Sequence, residues 1–497
     1  MRNMFSKVHR DTTEICHDHE NSVRLDATRT ISDLARSIMT NNSFIGKAWS
    51  RLVGGGHAQT IASANASPRA DKMGEETYHL VVADYGNFSY DLDFFDRPAS
   101  TPIVVFLHGI GGRAASPYNQ GLADQVGLPV AQGGLGCRTV RLTLRGCGDL
   151  VLTSPQIHHA GQVNDLGAAV ASIRKDFPAA KLYLVGSSLG AGIVMNYLAE
   201  MGDASPITAA FCQSQVYKFV ESAEGFKGSM VHWIYNWALG RTFTRMFKDN
   251  KHVFEDEYAR SLSPPTSPGS SRPVSPGPPT DHDDSDSSSL ESPSPLHRSV
   301  QYDNDAALED LARIRQVVKE NLSLTKFSGK VVAPLAGYES AKAFMLATSS
   351  VNAIPRIRVP VLCLNACDDP LMAGKHLPRD EMNASPCVVM AATPGGGHLG
   401  FFGKGTDGKT GADGRWSTRL GFEWLSGIHN SNPAPRPAQT IVNWVDNGHV
   451  TRDWFHPEGR PEMRYMKVAI CFRGVMTSSR APIAPSQTDS KSVRGLF

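Results

Sequence analysis

The chain has 497 residues, 41% of them hydrophobic, with 50 basic and 48 acidic side chains and a formal charge of +2, so it gives no electrostatic reason to expect nucleic acid as a partner. Eight cysteines without paired-knuckle spacing, Cys363 and Cys367 being the only close pair, argue against a zinc framework and for reduced, intracellular thiols. No apolar run reaches the roughly 18 residues of a membrane span, and Met1 to Arg10 carries charge with no apolar region behind it. A soluble chain, cytoplasmic or peripheral to membranes and without a transmembrane helix, is expected.

In chain order, residues 1–45 are polar and mixed in charge and read as an N-terminal extension, with one short helical pattern at Ile31, Leu34, Ala35 and Ile38. Leu52 to Ile61 reads as a loop entering the core. Thr77 to Phe95 alternates around Tyr85-Gly-Asn87 and predicts a β-hairpin. Pro102-Ile-Val-Val-Phe-Leu-His-Gly109 is a buried strand running into a glycine-rich loop, and a helix begins near Asn119. Arg138 to Leu144 is the next strand. Val163, Leu166, Val170 and Ile173 then fall at helical spacing.

Lys181-Leu-Tyr-Leu-Val-Gly-Ser-Ser-Leu-Gly190 follows, a strand that turns sharply into a helix, and Pro206 to Cys212 is a further strand. Strands alternating with helices predict an α/β fold with a mostly parallel, doubly wound sheet. That core is assigned to 46–212 and 351–427, interrupted after the sixth strand by a helical cap at 213–350. The cap holds the aromatic stretch Trp233, Tyr235 and Trp237, a lid over an acyl pocket or else a core helix. It also holds a Ser/Pro-rich run, about 256–300, too polar to offset its ordering entropy. Val359 to Asn365 and Cys387 to Ala392 complete the sheet, Trp416 to Leu425 closes it with a helix, and 428–497 is a tail with one strand pattern at Met466 to Phe472.

Gly186-Ser-Ser-Leu-Gly190 between strand and helix has the form of a nucleophile elbow. The strained central residue needs nearly side-chain-free neighbours two positions away on each side. Ser188 has Gly186 and Gly190 there; Ser187 has Val185 and Leu189. Ser188 is therefore the expected nucleophile. A serine needs a base and an anion to orient it, and on such a sheet both follow later strands in the order Ser, acid, His. Of His376, His398, His429, His449 and His456, only His398 follows the last sheet strand directly, in Gly395-Gly-Gly-His-Leu-Gly400. The acid lies in Asp368-Asp-Pro370. Asp369, held extended by the following proline, is preferred for the relay, and Asp368 for the turn backbone. The backbone N–H groups of Leu189 and Ile110 are the expected oxyanion donors. Arg145 is expected to pin loops rather than bind substrate, and His159 and Asp165, which open the next helix, to serve capping and packing.

Gly56-His-Ala-Gln-Thr60, His108-Gly-Ile-Gly-Gly112 with Tyr118, Arg145-Gly-Cys147, His159-Ala-Gly161, Gly186-Ser-Ser-Leu-Gly190, Asn365-Ala-Cys-Asp-Asp-Pro370 and Gly396-Gly-His-Leu-Gly-Phe-Phe402 occur in the order seen in the AB hydrolase 4 family of the AB hydrolase superfamily. The resemblance covers about 45–426. It implies an α/β-hydrolase fold, a relay of Ser188, Asp369 and His398, no cofactor or metal, and hydrolysis of lipid-like esters, as in a carboxylesterase, acylglycerol lipase or phospholipase. Acyl-ester synthesis on the same site, or a non-catalytic scaffold working through the Ser/Pro insertion, are the other readings.

Overall fold

Runs of β-branched and aliphatic residues, apolar on both faces, predict strands sandwiched between helix layers, and the computed structural model has that arrangement. It describes residues 14–17, 22–26, 29–41, 55–66, 75–82, 86–93, 97–113, 115–148, 150, 152, 156–254, 317, 319–403, 414–431, 449–450 and 468–469. In chain order the elements are β1 (Glu14–Cys16), α1 (Ile31–Asn41), α2 (Gly55–Ala64), β2 (Glu75–Val82), β3 (Gly86–Asp93), β4 (Ile103–Leu107), α3 (Pro117–Gly127) and β5 (Arg138–Thr143). Then come α4 (Asn164–Asp176), β6 (Leu182–Ser187), α5 (Leu189–Met201), β7 (Ile207–Gln213), α6 (Phe219–Gly225), α7 (Met230–Asp249) and α8 (Ala341–Thr348). β8 (Val361–Ala366), α9 (Arg379–Asn383), β9 (Val388–Thr393) and α10 (Trp416–Asn430) complete the core.

One sheet has the order β1-β9-β8-β7-β6-β4-β5-β3-β2. The strands from β9 to β5 in that order are parallel to one another, and β1, β3 and β2 add antiparallel edges. Because side chains alternate along a strand, each parallel strand feeds two cores. Val105, Leu184, Cys212, Cys363 and Met390 pack with α4 and α5 on one face. Phe106, Val185, Phe211, Leu364 and Val389 pack with α1, α3 and α10 on the other. Trp424 of α10 is fully buried, and its indole N–H donates to the Ala210 carbonyl at 2.9 Å.

The described residues among the first 45 pack into the core, which corrects the reading of that stretch as an extension. β1 pairs antiparallel with β9, His17 hydrogen-bonds the Val388 carbonyl at 3.0 Å, and α1 buries Ile31, Leu34, Ile38 and Met39 against α10. A helix of 11 residues is marginal alone. Burying those side chains, at about 1.5–3 kcal/mol each, holds it in place. With β1 counted, the inserted helices follow the seventh strand rather than the sixth. Residues 55–64, expected in a loop, form α2; its buried stripe is polar, which an apolar periodicity does not register.

Between β7 and β8, α6, α7, α8 and short helical turns from Leu324 to Leu335 build a third cluster, with Phe243, Phe247, Phe254, Phe327, Val331 and Phe344 at its centre. Asn236 of α7 exchanges two hydrogen bonds with Thr325, locking α7 to those turns. The Ser/Pro-rich stretch at 256–300 lies outside the described residues. So does most of the tail, where His449–Val450 pairs antiparallel with Val468–Ala469. Among the described residues no helix is long and apolar enough to cross a membrane. The described cysteines are free thiols, and only Cys367 is exposed.

Candidate active site

Ligands of open α/β sheets gather beyond the carboxyl ends of the strands, and the singled-out residues meet there. The β6-to-α5 turn puts Ser188 at φ +55°, ψ −117°, a conformation that costs a non-glycine residue energy. The turn is held by the Ser188 N–H donating to Gln213 O at 2.9 Å and by the Ala191 N–H returning to Ser188 O at 3.0 Å. The flanking glycines are required by space. A β-carbon on Gly186 would stand 2.6 Å from the Ala191 α-carbon, and one on Gly190 2.6 Å from the His108 carbonyl oxygen. Ser187 is fully buried and donates to Asn119 Oδ1 at 2.6 Å while accepting from Gln213 at 2.9 Å, so it is a pillar beneath the turn.

His398 Nε2 lies 2.8 Å from Ser188 Oγ, and its Nδ1 lies 2.8 Å from Asp369 Oδ2. Ser188 and His398 are each 7% exposed and Asp369 3%, so the chain of hydrogen bonds runs from the edge of a cavity into the interior. The other Asp369 oxygen accepts the Leu371 N–H at 2.8 Å, which fixes the carboxylate plane. Asp368 turns the other way and accepts the Gly397 N–H at 2.9 Å; burial first, and then the Asp369 charge, push its pKa up. The two adjacent aspartates thus divide the work, one on the imidazole and one on the loop that carries it.

The loop after β4 is fixed by Tyr118, whose hydroxyl accepts the Gly109 N–H at 2.9 Å, and by His108. His108 donates from Nδ1 to Gly109 O at 2.7 Å and accepts the Leu144 N–H on Nε2 at 3.1 Å, a neutral imidazole whose pKa burial lowers to about 4. Ile110 then sits beside Ser188 and Leu189 in the wall of one cavity. Leu189 is the first residue of α5, so its N–H lies at the positive end of the helix with no intrahelical acceptor. The remaining wall is mostly apolar, lined by Val216, Phe219, Phe226, Leu239, Leu324 and Leu371, with Ser222 among them. Of the aromatic stretch, Trp233 is 56% exposed, whereas Tyr235 is half-buried, and burial together with the Asp369 charge raises its pKa. Helix α7 therefore both caps the third cluster and lends Leu239 to the cavity.

Arg145 lies away from this cavity, fully buried in a two-point ion pair with Asp165, and the His158 ring hydrogen-bonds the Arg145 carbonyl at 2.9 Å. It pins loops, as its position after a strand led one to expect. Sequence reasoning singled out Gly56 to Thr60 as a motif but read it as a loop and gave it no contact with the site. Thr60 Oγ accepts the His398 N–H at 2.8 Å, Gln59 Oε1 accepts the Phe402 N–H at 3.1 Å, and Ser63 donates to Leu399 O at 2.7 Å. The available signal was the stripe Gly56, Gln59, Thr60, Ser63, small or polar residues at helical spacing.

Residues 104–405 match the model of the alpha/beta hydrolase family. The chain is 26% identical over 319 residues to a monoacylglycerol lipase of Saccharomyces cerevisiae, covering 64% of this chain and 59% of that protein. It is 26% identical over 333 residues to the medium-chain fatty acid ethyl ester synthase/esterase 2 of the same yeast, covering 66% and 63%. To the mouse phospholipase ABHD3 it is 24% identical over 330 residues, 65% of each. The chain thus spans somewhat less than two thirds of the length of these curated relatives. With the sheet order, the elbow turn and the family match on most of the core, this chain belongs to the alpha/beta hydrolase family.

Proposed function

We propose that the chain is a serine hydrolase that cleaves carboxylic esters of lipid-like substrates through an acyl-enzyme, with Ser188 as nucleophile, His398 as base and Asp369 as the orienting acid. The observation that carries this reading is the unbroken hydrogen-bond chain from Ser188 through His398 to Asp369, opening on an apolar cavity. Relatives named as lipase, phospholipase and esterase support it.

Ser188 Oγ attacks the ester carbonyl while His398 Nε2 takes its proton. Asp369 keeps the imidazole in the tautomer with Nδ1–H and stabilises the imidazolium that forms. The tetrahedral oxyanion falls between the N–H groups of Ile110 and Leu189, each such donor typically supplying about 2.7–4 kcal/mol. Collapse returns the proton from His398 to the departing alcohol. Water, deprotonated by the same imidazole, then releases the acid. The acyl chain lies among Val216, Phe219, Phe226, Leu239 and Leu324, whose apolar surfaces suit a hydrocarbon rather than a charged group. An alcohol entering in place of water would give a new ester from the same intermediate, the reaction named for the yeast synthase/esterase. Lipid-like substrates bring the chain to membrane surfaces peripherally.

Labelling by a fluorophosphonate probe, with release of acid from a p-nitrophenyl ester, tests this directly. Both should vanish in Ser188→Ala. Labelling that persists in that variant refutes the assignment.

A further inference from the structure

The His398 loop and helix α2, more than 330 residues apart in the text, meet along one line of hydrogen bonds, and their two motifs fit each other. Thr60 Oγ accepts the backbone N–H of His398 at 2.8 Å and donates its own proton to Gly56 O at 2.7 Å. The hydroxyl hydrogen is thereby committed to the helix, and the lone pairs face the loop. Gln59 and Ser63 hold the following residues at Phe402 N and Leu399 O, and Arg415 reaches the Leu399 carbonyl at 3.3 Å from behind. The approach is close enough to exclude side chains. A β-carbon on Gly397 would stand 2.3 Å from Gly56 O, one on Gly400 2.6 Å from the Gln59 β-carbon, and one on Gly56 1.9 Å from Asp368 O. The opposite side of the loop is fixed by Ser214, whose hydroxyl accepts the Leu399 N–H at 2.8 Å.

We infer that Thr60 is a positioning residue for the base. By fixing the His398 main-chain nitrogen against α2, it sets where the imidazole stands between Ser188 and Asp369. Asp369 controls the rotation and tautomer of the ring, but the ring's distance from Ser188 depends on where the backbone carries it. His398 is followed by two residues with positive φ, Leu399 at +59° and Phe401 at +48°. Such strained backbone keeps its shape only when outside contacts hold it, and α2 supplies them. The same helix extends toward α7, where His57 stacks on Tyr235 with ring centroids 5.7 Å apart, so one element touches both the base loop and the helix lining the cavity. This inference rests on the proposed triad.

The test compares Thr60→Val, which keeps the shape and removes the acceptor, with Thr60→Ser, which keeps the acceptor and removes the methyl. Activity is followed with a p-nitrophenyl ester and with the rate of fluorophosphonate labelling. Thr60→Val should lower kcat by about 10- to 100-fold with KM within twofold, and slow labelling in parallel. Thr60→Ser should stay within threefold of the parent. Full activity in Thr60→Val overturns the inference, and so does a Thr60→Ser as impaired as Thr60→Val, because the methyl would then be what matters. Should Thr60→Val fail to fold, Gln59→Leu serves in its place at the Phe402 N–H: a loss of at least fivefold in kcat is expected, and none would overturn the inference. Ser188→Ala separates the two layers. If it leaves labelling intact the triad reading itself has failed; if it abolishes labelling while Thr60→Val changes nothing, only the positioning role has.

Discussion

Gly397→Ala puts the contact between the base loop and α2 under direct load. Gly397 has φ +58°, which costs an alanine about 1–2 kcal/mol. Its new β-carbon would lie 2.3 Å from Gly56 O, where real contacts stay above 3.0 Å, so the loop must retreat by 0.7 Å. His398 is the next residue. Moved by that amount along its bond to Ser188, the 2.8 Å contact becomes 3.5 Å, too long for efficient proton transfer. Misplacement by about 1 Å costs on the order of 100-fold, so kcat should fall by about 10- to 100-fold, about 1.4–2.7 kcal/mol of transition-state stabilisation. Gly133→Ala is the control, since φ is +81° there but no atom lies within 4 Å of the added carbon. It should lower stability by a similar backbone term and leave kcat alone. The assay is steady-state ester hydrolysis beside a thermal melt of each variant. A folded Gly397→Ala protein with kcat within twofold of the parent would refute the reasoning, because the close approach would then have no bearing on the base.

Ser187→Ala should keep fluorophosphonate labelling while losing about 1–3 kcal/mol of stability, since it leaves the buried Asn119 Oδ1 without its donor and removes one of two acceptors of Gln213 Nε2; loss of labelling in a folded variant would shift the nucleophile. Asp165→Asn leaves the Arg145 guanidinium buried without its counter-charge and should cost about 3–5 kcal/mol in denaturant melts, whereas a change below 1 kcal/mol would show that water or another group screens it. Burial lowers His108 and His159 to about 4 and His158 to about 3. Between pH of about 6.5 and those values the unfolded chain binds protons that the folded chain refuses, so these groups cost no stability above about 6.5. The loss grows toward pH 4 by up to about 1.4 kcal/mol per pH unit for each. Denaturant midpoints that do not fall between pH 7 and 5 would contradict this.

Most of the sheet was legible because its strands are buried on both faces and announce themselves as continuous apolar runs, Ile103 to Leu107 and Leu182 to Val185 among them. The Gly186 and Gly190 rule singled out Ser188, and the glycines before His398 marked a loop under tight constraint, although the reason for that constraint was not visible. Those glycines permit approach to α2. The strand at Glu14–Cys16 was illegible because three residues carry no period, and it exists through pairing with β9. Helix α2 was missed for a different reason: the stripe it buries is Gly56, Gln59, Thr60 and Ser63, whose partners are polar backbone groups of the base loop. Hydrophobic periodicity reports helices that bury carbon; a helix that buries hydroxyls and an amide gives no such signal. Asp369 was preferred over Asp368 on the proline that follows it, and in the structure the two differ in the bond each makes, Asp369 with His398 and Asp368 with the Gly397 N–H.

The wall of the cavity has two origins in the fold. Ile110 and Leu371 stand on loops that leave the sheet, Ser188 on the turn after β6, and Leu189 opens α5. Phe219, Phe226, Leu239 and Leu324 come from the helices inserted between β7 and β8, whose own core of Phe243, Phe247, Phe327 and Phe344 is largely distinct from the two cores flanking the sheet. The inserted helices are nevertheless tied to the loops below: Ser222 of α6 donates to the Leu371 carbonyl at 2.7 Å, and the Leu371 N–H is the one that Asp369 accepts. On the proposed function, loops of the sheet carry the reacting groups and the inserted helices add most of the apolar wall offered to the acyl group. On that proposal the motifs that point to the chemistry lie on the sheet's loops, whereas most of the remaining cavity wall lies on helices whose sequence answers mainly to their own packing.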